Sequence, residues 1–377
     1  MTKAELRDAL IESLSSQGFS LNGSVLPASY QKSHFKKIQA HSKKEQLKLQ
    51  KDFILSATDT VTPYIRDGRV IDPAAIDLEL RLVEQGSVEE AIFRWWNIVW
   101  WSVPYQKAYG RQMRMLLWDK AHDAPFGIVG LQSPVLKMAV RDQYLNIPSV
   151  DLDEVINQSM QAQRLGALPP YNNLLSGKMV AMSLTSNELR SLYQEKYTDV
   201  QTVMKKRVLN PDLLFLTTTS AFGRSSIYNR LKYKEEWVAK SLGYTQGSGT
   251  FHVSQELYLE LQKFLKRRKI DVNTTFGYGP SRKMKLIDRG FQLLDLKQYH
   301  YHNLQREFFL FPTASNLEQV IATKEKPVYF DRPLADLLSH WQERWALPRS
   351  ERDKSWEAFN AKNFIRSSKS NITRWTK

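Results

Sequence analysis

The chain of 377 residues has no cysteine. That absence excludes disulfides, thiolate zinc sites, iron–sulfur ligation and thiol nucleophiles together. It also fits a reducing compartment. Long apolar runs are missing too. The greasiest stretch, residues 91–101, is interrupted by Arg94 and Asn97, well short of the ~18 residues that a membrane span needs. Residues 1–16 carry both charge signs where a signal peptide requires an apolar stretch. The expectation is a cytoplasmic protein without a membrane. Acidic residues are scarce relative to basic ones, 39 against 54, for a net charge of +15. Such an excess attracts polyanions and makes DNA or RNA the expected partner. There is no Walker A loop, no G-x-S-x-G elbow and no H-E-x-x-H helix.

What is present is enough to build a core. Hydrophobic residues make up 42% and aromatic residues 11%, so disorder is not expected. Apolar spacing predicts helices over residues 3–15 and 30–56, the second rich in lysine. Residues 84–101, apolar on most sides, predict a buried helix. Residues 113–118 and 126–131 read as strands joined by a turn at residues 122–125. A helix over 151–164, a short strand at 165–168 and a helix from about Ser176 to Tyr193 come next. Residues 213–219 form the clearest strand. A helix over 225–232, a ribbon over 244–253, helices over 257–269 and 281–294, and a strand over 304–311 follow. The tail from Pro333 is helical and then basic. The alternation predicts an α/β (α+β) mixed sheet, organised as a helical N-terminal region (1–105), an α/β core (106–260) and a basic, mostly helical C-terminal region (261–377).

Several constellations could carry chemistry. Residues 165–178 run from a strand through a loop to a helix start. Tyr171, Asn172, Ser176, Gly177 and Lys178 could hold a phosphate on unpaired backbone N–H groups, or they form an ordinary tight turn. Residues 217–230 lead from a buried strand into a polar loop. There Thr219, Arg224, Ser225, Ser226 and Arg230 could face a ligand, with the arginines clamping phosphate or carboxylate. Ser225 or Ser226 could equally cap a helix. In residues 243–252, closely spaced glycines suggest a bulge, and His252 is either a base or a satisfied core histidine. The basic sets Lys263, Lys266, Arg267, Arg268 and Lys269, then Ser281, Arg282 and Lys283, suit phosphate contacts, as do Arg344 and Arg349. On a strand, His300 and His302 share one face. They could bind a divalent metal beside Tyr329 in a nuclease or transposase, or they are simply exposed or core histidines. Arg141-Asp142 is a surface pair or a substrate contact.

These stretches, taken in order, are similar to a known family. FGIVGL (126–131), Arg141-Asp142, LGALPPYNNLLSGKMVA (165–181), LTTTSAFGRSSIYNRL (216–231), GYTQGSGTFHV (243–253), FGYGPSRKM (276–284) and RWALPR (344–349) resemble the DruA family of the Druantia anti-phage defence system. The resemblance covers about residues 105–360. It implies anti-phage defence beside other subunits, including a helicase-type partner, but no particular reaction. The core also resembles, more distantly, the GCN5-related N-acetyltransferase (GNAT) fold. That resemblance would make residues 165–182 a grip for the pyrophosphate of acyl-CoA and Tyr228 a general acid. Of the acetyltransferase loop pattern, Asn172–Gly177 keeps only the last position. Three functions therefore follow in order: a nucleic-acid-binding defence protein, an acyltransferase using acyl-CoA, and a metal-dependent strand-cutting enzyme.

Overall fold

The structure, a computed structural model, describes residues 1–375 apart from 22–25, 28, 30, 104–107, 203–204, 274–280 and 297–300. Its centre is a seven-stranded sheet. In chain order the strands are β1 (Leu78–Leu82), β2 (Gln112–Asp119), β3 (Ala124–Gln132), β4 (Ser159–Ala167), β5 (Phe215–Thr219), β6 (Lys240–Tyr244) and β7 (Glu307–Pro312). Their spatial order is β6-β7-β5-β4-β3-β2-β1. Every neighbouring pair is antiparallel except β4 and β5, which run parallel. That parallel pair needs a crossover. The helices α7 (Gly177–Met182) and α8 (Asn187–Tyr197) supply it, meeting at Ser186, whose hydroxyl accepts from Leu189 N.

One face of the sheet is apolar across β1–β5 and most of β7. Met115, Leu117, Val129, Met160, Leu216, Phe309 and Phe311 pack under α7, α8 and α12 (Leu334–Trp341). The opposite face is covered in two separate places. At the β1–β3 side, Leu116, Trp118 and Ile128 meet α3 (Lys51–Val61), α4 (Val88–Val99) and α14 (Ala361–Trp375). Here Trp95 donates to Thr58 Oγ1 and Phe364 stacks on Trp96. At the β5–β7 side, Phe215 and Leu310 meet Leu145, just past α5 (Ala139–Tyr144), Val155 of α6 (Leu152–Asn157) and Ile321 of α11 (Leu317–Thr323). A further core lies off the sheet. It joins α1 (Lys3–Ser16), α2 (Lys32–Leu49), α9 (Gln255–Arg267) and α10 (Arg282–Leu293) through residues such as Leu10, Phe35, Ile38, Leu261 and Ile287.

Most expected elements are present, and the fold is a mixed α/β sheet with flanking helices. Four local expectations are corrected. The helix over 151–164 is the short α6, followed by β4. From Ser159 the apolar residues fall at every second position, Met160 and Ala162, which suits a pleated surface rather than a helix. The helix over 225–232 is a series of turns, held from outside by Glu307. The ribbon over 244–253 is β6 ending at Tyr244, followed by irregular chain. The long helix over 30–56 is α2 and α3, broken at Gln50. Strand β1 had no counterpart in the sequence reading.

Candidate functional site

A buried carboxylate organises the polar loop that leaves β5. Glu307, 5% exposed, opens β7. Its Oε2 accepts from Ser225 N at 2.8 Å and from the Asn229 amide at 3.4 Å, and its Oε1 accepts from the Ser241 hydroxyl at 2.9 Å. Its backbone N–H donates to Gly223 O and Ser220 Oγ. Residues 220–229 are thereby bent around one charge. Ser225 is buried, its hydroxyl accepting from Ile227 N at 3.2 Å, while Arg224, Ser226 and Arg230 are exposed. Thr219, the last residue of β5, pairs with Phe308. Tyr228 is buried against Phe309 and Phe311, at 5.0 and 5.7 Å between ring centroids, and burial pushes its hydroxyl well above the ordinary tyrosine range.

The loop before α7 points inward. Tyr171 is fully buried and donates to Asp119 Oδ2 at 2.9 Å. The same oxygen receives His122 Nδ1 at 2.6 Å, while His122 Nε2 accepts from Asp72 N. That imidazole is therefore a bridge between backbone and carboxylate, with both nitrogens engaged. Ser176 donates to Tyr171 O at 2.6 Å, and Asn172 is half-buried. The start of α7 faces the second motif. A Cβ on Gly177 would stand 3.3 Å from Ile227 Cδ1, and Lys178 donates to Ile227 O at 3.1 Å. Lys178 also lies 5.2 Å from the Trp345 ring, which Arg344 approaches at 5.5 Å. Burial, then the Arg344 charge, lowers the Lys178 pKa. Arg349, on α13 (Leu347–Arg352), donates to Asn173 O and pairs with Asp353. Three stretches remote in sequence, 171–178, 227 and 344–349, thus meet. Arg141 is 1% exposed and holds Val135 O, Leu136 O and Asp142, so that pair braces its own loop.

His252 and His302 are both buried, with ring centroids 5.5 Å apart. Burial, and then the nearby His252 and Arg306, hold His302 well below the usual histidine range. His302 Nδ1 accepts from Leu304 N. His252 sits beside Phe19 and Phe251, whereas Tyr228 belongs to the sheet core. The two candidate catalytic groups therefore occupy different cores. Tyr329 donates to Asp212, and its neighbour in pairing is Ala314, just past the end of β7 that lies away from His302. His300 lies outside the described residues, as do Gly277 and Gly279. Among the described residues no three His, Cys, Asp or Glu side chains are placed to hold a metal ion.

The basic residues gather on the helices off the sheet. The segments α2, 255–269 and α10 hold 15 Lys and Arg against four Asp and Glu. Lys283 ties the three together. Its Nζ lies 5.0 Å from the Tyr258 ring of α9, and burial lowers its pKa against the opposing influence of Glu45 on α2. Lys263, Lys266, Arg267, Arg268 and Lys269 are exposed at the end of α9. Lys263 pairs with Glu260, Arg267 donates to Met1 O, and Arg268 lies over Phe264. Ser281 caps α10 by accepting from Met284 N, and Arg282 donates to Asn273.

Two cations that the sequence did not single out lie inside. Lys43 of α2 donates to Trp101 O, and Arg164 of β4 donates to Asn97 Oδ1 and lies 5.9 Å from the Trp101 ring. Burial, then the Arg164 charge, pushes the Lys43 ammonium down to about 7. The unfolded amine titrates near 10.5. Between those values the unfolded chain binds more protons, so this group makes stability rise with pH across the window and fall as pH drops through it. Denaturant titrations of Lys43→Met should lack that part of the rise. An unchanged pH profile would contradict the burial.

Among known proteins, a family model described as "Druantia protein DruA" matches residues 29–323. The chain belongs to this family. A Druantia protein DruA from Escherichia coli (strain UMEA 4076-1) is 30% identical over 379 positions, spanning 97% of this chain and 92% of the relative. No solved structure matches. The DruA match takes in the whole sheet, α2, α9, α10 and the Glu307 loop, and ends before α12. Among the described residues no helix is long and apolar enough to cross a membrane.

Proposed function

We propose that the protein is the nucleic-acid-binding component of a Druantia-type anti-phage defence system, working with the system's other subunits, among them a helicase-type one. The observation that carries this reading is the convergence of α2, α9 and α10 on one core. It concentrates 15 cations against four acids on elements that are far apart in the chain. Charge spread evenly over a surface would only aid solubility. Charge gathered on neighbouring helices makes an electrostatic footprint that can follow a phosphate backbone. Exposed Lys37, Lys44, Lys266 and Lys285 make no ion pair with a described residue, so they are available to phosphates. DNA and RNA suit this footprint equally.

The acyltransferase reading draws less support. The loop that would grip acyl-CoA has Ser176 turned inward, and Gly177 and Lys178 are occupied by Ile227. Fluorescence anisotropy with labelled single-stranded DNA, duplex DNA and RNA tests the proposal. Binding at low salt to at least one of them is expected. No binding to any would transfer the positive charge to an acidic protein partner.

A further inference from the structure

The centre of a sheet face is normally apolar when helices cover it. In this protein one face follows that rule and the other does not. Between its two apolar patches runs a row of directly paired residues: Gln112 on β2, Gln132 on β3, Gln161 on β4 and Thr217 on β5. The sheet register puts their side chains on one face. Met160, Ala162 and Leu216, which alternate with them, belong to the opposite, apolar core. Gln132 is 8% exposed and Thr217 only 1%. Even so, the side chains of Gln132, Gln161 and Thr217 hydrogen-bond to no described residue. Nor are they sealed in, since none is among the buried polar atoms shut off from solvent. Unpaired amides on a covered sheet cost stability, and a ligand that pairs with them offsets that cost.

The row crosses the one parallel pair of strands. The pairing of β4 and β5 ends at Ala162 and Thr218, after which β4 continues against β3 alone. Crevices at the carboxyl ends of parting parallel strands are where open sheets bind ligands. Cations stand at that end. Arg164 is on the same face as the row, paired with Gly130, and Lys43 meets it at Trp101. Arg306 precedes β7, and its side chain leaves the strand opposite to Glu307. Its guanidinium forms no ion pair or hydrogen bond with a described residue.

We infer that the glutamine row is the floor of a crevice that takes one nucleotide, base edge on the amides and phosphate toward Lys43, Arg164 and Arg306. A neutral amide presents a donor and an acceptor side by side, which matches the edge of a nucleobase. A cationic end beside a neutral floor fits a ligand charged at one end. The nucleotide is either free or an unpaired residue of a bound strand, and this inference deepens the nucleic-acid reading while remaining separable from it.

Calorimetry on the full chain with each of the four deoxynucleoside monophosphates, and with inorganic phosphate, tests the free form. Anisotropy with a perfect duplex and with the same duplex carrying one unpaired base tests the strand form. Saturable binding of a monophosphate, tighter than phosphate alone, or a gain for the unpaired base, supports the crevice. Gln132→Leu and Gln161→Leu should each weaken that binding about tenfold or more yet melt at or above the temperature of the unaltered protein. Duplex binding should be unchanged in both. No saturation by about 5 mM monophosphate together with no gain from an unpaired base would overturn the crevice and leave the nucleic-acid reading standing. So would leucine variants that bind as before. Monophosphate binding without binding to single-stranded DNA, duplex DNA or RNA would overturn that reading and leave the crevice standing.

Discussion

Replacing Lys37, Lys44, Lys266 and Lys285 together by alanine should lower affinity for nucleic acid by about a hundredfold or more at low salt. It should also flatten the salt dependence by roughly three to four units of log–log slope. Each lysine that neutralises a phosphate releases about 0.9 counterion from duplex DNA. All four are exposed and tied by no ion pair to a described residue, so the loss should appear in binding and not in folding. Melting temperature should stay within about 2 °C, as for ordinary surface substitutions. A quadruple variant that binds with unchanged affinity and slope would place the contact surface elsewhere. The exposed arginines are less suited to this test, because Arg267 also holds Met1 O and Arg268 covers Phe264.

Glu307→Ala should be the most damaging single change around the polar loop, costing about 1–3 kcal/mol. The carboxylate is the shared acceptor for Ser225 N, the Asn229 amide and the Ser241 hydroxyl. Its loss leaves the N–H of the buried Ser225 without an acceptor, which carries a desolvation penalty, while the half-buried Asn229 amide and the exposed Ser241 hydroxyl can turn to water. Residues 220–229 have no helix of their own to fall back on. The loop should therefore loosen before the sheet does, and hydrogen exchange should show it as faster exchange at Ser225. Glu307→Gln keeps the shape and one acceptor oxygen, so a smaller loss is expected. Equal stability of the alanine variant and the unaltered protein, by urea titration, would contradict this role.

Much of the frame was legible from periodicity. Residues 113–118, 126–131 and 213–219 had strand character, and 3–15 and 257–269 had helix character; all of these hold. What escaped had physical causes. Strand β4 begins with Ser159, Gln161 and Gln163 between apolar residues, and so many polar residues concealed a central strand. The polarity that hid the strand is the polarity proposed to bind a ligand. The stretch 225–232 reads as a helix, but it is a series of turns whose first N–H, at Ser225, is held by a carboxylate 82 positions away. The signal for Glu307 was there: one charge at the head of the apolar run Glu307–Pro312. Its partners were not, because long-range pairing leaves no local pattern. Tyr171 and Ser176 looked like ligand groups by their place in a loop, yet Asp119 and the Tyr171 carbonyl take their hydrogen bonds. The basic segments were visible singly, but only the shared core brings α2 beside α9 and α10.

The most direct test of the account is a salt titration of binding, with single-stranded DNA, duplex DNA and RNA each measured against the unaltered protein. The account predicts that log affinity falls linearly with log salt for at least one of them, with a slope that counts the phosphates engaged. Absent binding, or binding indifferent to salt, would contradict it.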